Sequence, residues 1–182
     1  VNIQELEQAQ KRFRELQIES DGTYFDKLKE GQKPSFFVLS CCDSRTCPST
    51  ITGLPLGELF IHRNIANQVV AGDDSFTASL YYAVEVLEVD YILVLGHTYC
   101  GGVEAATKGI DKEHLNPWLK HVASSISSVK NSENAREIEL TNIKSQMNAL
   151  QNHQVLKEAS RSVEILGSLF HLESGELEWV NL

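Results

Sequence analysis

Two thiols and an imidazole stand where apolar runs break off. Residues 36–39 are unbroken apolar, and Ser40-Cys41-Cys42-Asp43-Ser44-Arg45 follows, so thiol, carboxylate and guanidinium arrive together. Residues 91–96 (Tyr-Ile-Leu-Val-Leu-Gly) repeat the arrangement and lead into His97-Thr98-Tyr99-Cys100-Gly101-Gly102. Cys41, His97 and Cys100 are all zinc-binding types. Three protein ligands leave a fourth position for water, the pattern of catalytic rather than structural zinc. If the chain stays extended through residue 45, Cys41, Asp43 and Arg45 point one way, Cys42 and Ser44 the other. If it turns helical after His97, that residue and Cys100 share a face.

Such a metal acts by making water nucleophilic near neutral pH. Two thiolates feed charge to the metal and make that harder. A carboxylate that accepts a hydrogen bond from the water would orient it, and Arg45 would keep Asp43 ionised and in place. Taken singly these residues are ordinary, since free cysteines are among the most buried side chains. Their coincidence at two strand ends, with Gly96, Gly101 and Gly102 allowing a sharp turn, is what favours a site.

The elements that must carry these residues are strands buried on both faces, because each apolar run is continuous rather than alternating. Ligands of open α/β sheets bind at the strand ends. Residues 3–28 read as a helical arm with an apolar stripe (Leu6, Phe13, Leu16, Ile18) broken at Ser20-Asp21-Gly22. Pro34 sits at the edge of the first strand, and residues 58–63 form a second. Residues 77–87 have apolar side chains at helical spacing, and a helix opens at Gly101-Gly102. Residues 111–134 are polar, with a helix starting near Pro117 and Trp118. Residues 137–159 form longer helical structure, and 163–171 and 176–180 the last two strands, the final one antiparallel at the edge. Strands alternating with helices predict an α/β fold with a mostly parallel sheet covered on both faces.

The 182 residues suit one domain, 1–182, with residues 1–30 as its arm. Sixteen Lys and Arg against 25 Asp and Glu give a net charge of −9, which argues against nucleic-acid and anionic-membrane partners. No apolar run approaches the ~20 residues of a membrane span. Of the four cysteines, Cys41, Cys42 and Cys47 crowd one segment, a poor disulfide framework but a good source of free thiols. Cys42 and Cys47 are left out of the metal site, by strand parity and by position in a turn. Free thiols imply a reducing compartment, the cytoplasm, or an organelle if a presequence stood before Val1.

Cys41-x-Asp43-x-Arg45 and His97-x-x-Cys100-Gly-Gly, with Gly57-Glu-Leu-Phe60 and Arg63-Asn-Ile-Ala-Asn67 between them, resemble the β-class carbonic anhydrases. The likeness runs from about residue 25 to the end, motifs in family order. It implies the strand order 2-1-3-4-5, one Zn2+ per chain on Cys41, His97 and Cys100, and reversible hydration of carbon dioxide to bicarbonate and a proton by zinc-bound hydroxide. It gives Asp43 and Arg45 the role of orienting dyad. It also implies a substrate pocket of Gln32, Phe60, Ile65, Tyr82 and Gly102, partly from a neighbouring subunit, in a homodimer or dimer-based oligomer.

Val38 and Ser40 depart from the branch in which the aspartate closes onto zinc, and Gln32 matches the plant-like, open branch. That resemblance implies an Asp43 that stays on Arg45. His62, His114, His121, His153 and His171 carry no ligand spacing. Two other readings fit the same residues: a hydrolase of carbon disulfide or carbonyl sulfide on the same scaffold, and a non-catalytic zinc or thiol-redox module, against which the Asp43–Arg45 pair argues.

Overall fold

A computed structural model describes all of residues 1–182, which group into two compact units, Val1–Gln32 and Lys33–Leu182. The N-terminal unit is two helices, α1 (Ile3–Ser20) and α2 (Tyr24–Lys29). A capping box starts α1: Glu5 N–H donates to Asn2 Oδ1 at 2.9 Å, and Asn2 N–H donates to Glu5 Oε2 at 2.8 Å. Between the helices Asp21 accepts from Lys27 Nζ at 2.6 Å and from Thr23, which holds its carboxyl down at about 2. Leu6, Phe13, Leu16 and Ile18 are exposed, and no residue of α1 is buried.

The second unit is built on five strands: β1 (Phe36–Cys41), β2 (Leu59–Asn64), β3 (Tyr91–His97), β4 (Glu164–Phe170) and β5 (Leu177–Val180). Their order is β2-β1-β3-β4-β5, with β5 antiparallel to β4 and the other pairs parallel. Topology and direction are those expected. The helices are α3 (Pro48–Thr52), α4 (Asp74–Tyr81), α5 (Gly101–Lys108), α6 (Asn116–Ser125), α7 (Ala135–Gln151) and α8 (Gln154–Lys157). Asp73 caps α4 by accepting from Ser75 and Phe76 N–H, and α4 runs on as a π-helical turn, Tyr82–Val86.

Helical cover of the two sheet faces is unequal. Phe37, Leu39, Ile92, Val94 and Leu169 pack under α4, the π-turn and α7, through Phe76, Leu80, Ala83, Val84, Ile143 and Met147. The approach is close: a Cβ on Gly96, near the end of β3, would lie 2.7 Å from the Ile143 side chain and would have to displace it. On the opposite face Val38, Leu93, Leu95 and Phe170 meet the short helix α3, through Pro48, Ile51 and Thr52. An apolar hollow of about 180 Å³ is left there, lined by Phe36, Val38, Leu93, Leu95, Leu177 and Trp179 among others.

Candidate metal centre and active site

β1 and β3 are neighbours, Ser40 opposite Leu95, with β2 on the far side of β1. Their carboxyl ends therefore open side by side where the sheet's winding reverses, the usual place for a ligand. Cys41 closes β1, His97 closes β3, and Cys100 stands at the N-cap of α5. Their Sγ, ring nitrogen and Sγ atoms lie within 4.8 Å of one another, all three residues buried.

His97 Nδ1 lies 2.9 Å from the Thr98 carbonyl, which can only accept, so Nδ1 carries the proton of the neutral ring. Nε2 is then a bare lone pair, buried and without any hydrogen-bond partner. A buried orphan acceptor between two sulfurs is costly in itself. It fits a dication, as do the thiols. The adjoining Cys100 sulfur first, and then Ala66 N–H at 3.3 Å, draw the Cys41 thiol down despite burial. The Cys41 sulfur and burial push the Cys100 thiol up. Two such adjacent thiols give up their protons when a cation binds them.

β1 does not continue to residue 45. It ends at Cys41, and Thr46 N–H bonds Asp43 O at 3.1 Å, so the chain turns. Asp43 and Arg45 meet through that turn rather than through strand alternation. Arg45 donates to both carboxylate oxygens, Nε to Oδ1 at 2.9 Å and Nη2 to Oδ2 at 2.7 Å, while its own N–H bonds Oδ1 at 2.9 Å. These bonds hold Asp43 well below the usual carboxylate range. Its Oδ2 comes within 3.9 Å of His97 Nε2, beside the ligand cluster. Nor is there a helical turn between His97 and Cys100. Tyr99 adopts a left-handed conformation (φ 56°) and Cys100 an extended one, and this kink swings the thiol back to the imidazole.

The carbonic anhydrase family model matches residues 36–177, a stretch that contains all of these groups. The chain belongs to the carbonic anhydrases, β class. A carbonic anhydrase of Emericella nidulans is 46% identical over 103 residues, 57% of this chain and 45% of that one. The chain spans about half the length of the curated relatives it matches. Among solved structures, the Aspergillus fumigatus β-carbonic anhydrase CafA superposes with a TM-score of 0.92 at 29% identity, covering 98% of this chain and 90% of that one. One of the tetrameric β-carbonic anhydrases of Sordaria macrospora gives 0.90 at 27%, covering 98% and 96%.

Not every pocket residue inferred from the β-class resemblance lies by the cluster. Gly102 does, in the first turn of α5, and a Cβ there would lie 2.6 Å from Ile65 Cγ2 and 3.1 Å from Ala66 Cβ. Ile65 is its neighbour, and Ala66 packs with Cys41 and Cys100. Phe60 instead pairs with Phe37, four residues before Cys41, which is roughly 13 Å back along the sheet at ~3.3 Å per residue. Tyr82 stacks on Phe60 at 5.7 Å. Within one chain these two rings are not part of the centre. Gln32 is exposed and closes the N-terminal unit.

Two residues at the site draw no role from the sequence, although Arg63 opens the Arg63–Asn67 motif shared with the β class. Arg63, on β2, donates from Nε to Cys41 O and from Nη2 to Asp43 O, both at 2.8 Å, and so staples the β1 exit. Glu139, on α7, is buried and accepts from Cys100 N–H at 3.3 Å, and burial pushes its carboxyl up. An arginine near a strand end and a glutamate on a helix are ordinary in themselves, so their roles at the site come from contact. Cys42 is exposed and Cys47 half-buried, and neither joins the cluster. His62 meets Ser79, His153 caps α8, and His171 lies between Glu173 and Glu178.

Proposed function

We propose that this chain is a zinc-dependent carbonic anhydrase that interconverts carbon dioxide and water with bicarbonate and a proton. The observation that carries the reading is the buried, unpartnered His97 Nε2 between the sulfurs of Cys41 and Cys100, with the Asp43–Arg45 pair alongside. Bound there, Zn2+ supplies the Lewis acidity that makes water nucleophilic near neutral pH. Asp43, kept anionic by Arg45, accepts a hydrogen bond from the attacking water and turns its lone pair toward the carbon. Ile65, Ala66 and Gly102 give an apolar wall beside the centre that suits a small uncharged substrate. Because Arg45 engages both oxygens of Asp43, the carboxylate is held off the cluster, which supports the open-branch reading.

Metal analysis of the purified chain should find one zinc per chain, and stopped-flow assay should find carbon dioxide hydration that chelation abolishes. Turnover of carbonyl sulfide or carbon disulfide without hydration would replace this substrate assignment. A carboxylate oxygen of Asp43 at ~2.0–2.2 Å from zinc near neutral pH would overturn the open site.

The same reading includes a dimer or dimer-based oligomer. Its supports are the exposed apolar stripe of α1, the apolar hollow on the second sheet face, and the distance of Phe60 and Tyr82 from their own centre. In this reading Phe60, Tyr82 and Gln32 contribute to substrate pockets of the assembled protein. Sedimentation at micromolar concentration should give at least twice the mass of one chain. A fully active species of 20.3 kDa would sink the assembly. The four free thiols fit a reducing compartment such as the cytoplasm.

A further inference from the structure

We infer that the turn Ile65–Asn67 is a positioning element for the Cys41 ligand, and that Asn142 of α7 is the residue that holds it. The inference rests on the zinc reading above. Ala66 and Asn67 lie in succession in the left-handed region (φ 61° and 49°), which non-glycine residues seldom occupy and keep only where their surroundings impose it. Here side chains impose it. Ala66 O accepts from Gln68 Nε2 at 2.6 Å and from Asn142 Nδ2 at 3.1 Å, and Ile65 O accepts from Trp118 Nε1 at 2.8 Å.

Gln68 and Asn142 are locked to one another and to their neighbours. Gln68 Nε2 also donates to Asn142 Oδ1 at 2.7 Å, Gln146 Nε2 donates to the same oxygen at 3.2 Å, and Ser125 Oγ donates to Gln68 Oε1 at 2.9 Å. All three amide residues are buried. Burying amides is costly against leucine, which would fill the same space, so this network is an expensive way merely to pack α7. The helix divides its labour: Ile143, Met147 and Leu150 join the sheet core, while Asn142 and Gln146 join the turn's network.

What the turn delivers is the Ala66 N–H, 3.3 Å from Cys41 Sγ, and a side chain that abuts Gly102 at the start of the helix that Cys100 caps. It therefore touches both sulfur-bearing segments. A donor fixed on a metal-bound sulfur withdraws charge from it and fixes its direction, as outer partners of metal ligands do.

The test compares wild type, Asn142→Leu, Trp118→Phe and Leu150→Val, the last a cavity control on the same helix outside the network. Each is loaded with cobalt(II) or zinc, and affinity is read by chelator competition. Cobalt also reports the sulfur-to-metal charge-transfer band, and circular dichroism and melting report the fold. Asn142→Leu should bind either metal about ten-fold or more weakly, with the band moved to lower energy as the sulfur becomes richer in electrons. Leu150→Val should melt earlier with band and affinity unmoved. A folded Asn142→Leu with wild-type band and affinity overturns the inference. If that variant does not fold, Trp118→Phe decides: a smaller shift in the same directions supports the inference, and an unchanged band and affinity overturn it. Wild type that binds neither metal overturns the zinc reading and this inference with it, an outcome no variant can mimic.

Discussion

At the β1 exit the backbone is held by side chains from outside it. Arg63 grips two carbonyls, Ala66 N–H meets the sulfur, and Arg45 closes the turn on Asp43. At the β3 exit the aim comes mainly from the backbone: Tyr99 kinks, Cys100 caps a helix that begins Gly101-Gly102, and one side chain from outside, Glu139, accepts from Cys100 N–H. Arg45 Nη2 also reaches across to the β3 exit, donating to Tyr99 O at 3.2 Å. The difference follows from what each exit presents. β1 offers an exposed guanidinium and a half-buried carboxylate that must keep a direction in water, which takes paired hydrogen bonds. β3 offers two buried candidate ligands, and a kink followed by a helix start helps to aim them.

The harshest way to break the comparison is to remove a ligand from either exit. Cys41→Ala, His97→Ala and Cys100→Ala should each lose zinc by elemental analysis and hydration by stopped flow together, to background. The two exits should then be indistinguishable. Cys41→Ala with full zinc, Cys42 being intact, would show that the neighbouring thiol is the ligand. Arg45→Ala sharpens the contrast, because it frees the β1 exit alone. Zinc should stay bound while hydration falls about a hundred-fold, the usual cost of losing one oriented electrostatic group. An activity within a factor of about three of wild type would remove the dyad from the mechanism, since that is under ~1 kcal/mol of barrier.

The smallest effect concerns what ties the β3 exit to the sheet edge. Thr98 Oγ1 donates to Glu173 at 2.7 Å and accepts from Leu172 N–H at 2.9 Å, and His171 between them bonds Glu178 and Glu173. Glu178, first, and then Glu173 raise the imidazole above its ordinary value. Its contribution to stability is therefore full below ~6.5 and is lost as pH rises through the raised value. Arg136, and then His171, lower Glu178, whose contribution is present above its ordinary range and lost as pH falls through the lowered value. The cluster should be strongest between roughly pH 4.5 and 6.5. His171→Gln should melt about 2 °C below wild type near pH 6, as a partly exposed pair allows, and level with it by pH 8. Equal melting at both values would show that the tie carries no stability.

Much of this was legible in the chain itself. Continuous apolar runs mark buried strands, because only both-face burial removes the polar alternation. Chemistry at their ends marks a candidate site, because that is where a parallel sheet opens. Cys41, His97, Cys100, the Asp43–Arg45 pair and the strand directions followed from such local facts, and the strand order from the motifs shared with the β class. Local rules failed where the backbone leaves its regular period. The turn after Cys41 and the kink at Tyr99 replaced an extended run and a helical turn, since dihedral choices there are made by partners distant in sequence.

Other features were settled only by packing. Asn142 and Gln146 are polar residues four apart on a helix, which in sequence is indistinguishable from a solvated face. Arg63 stands out only as part of a motif, and its role is seen only where Cys41 O and Asp43 O lie under it. Sequence by itself determined which side chains could bind a metal and which strands would carry them, because composition and period depend only on neighbours along the chain. Tertiary structure alone decided how those side chains are aimed, because aim depends on hydrogen bonds between residues far apart in the chain, such as that from Asn142 to Ala66.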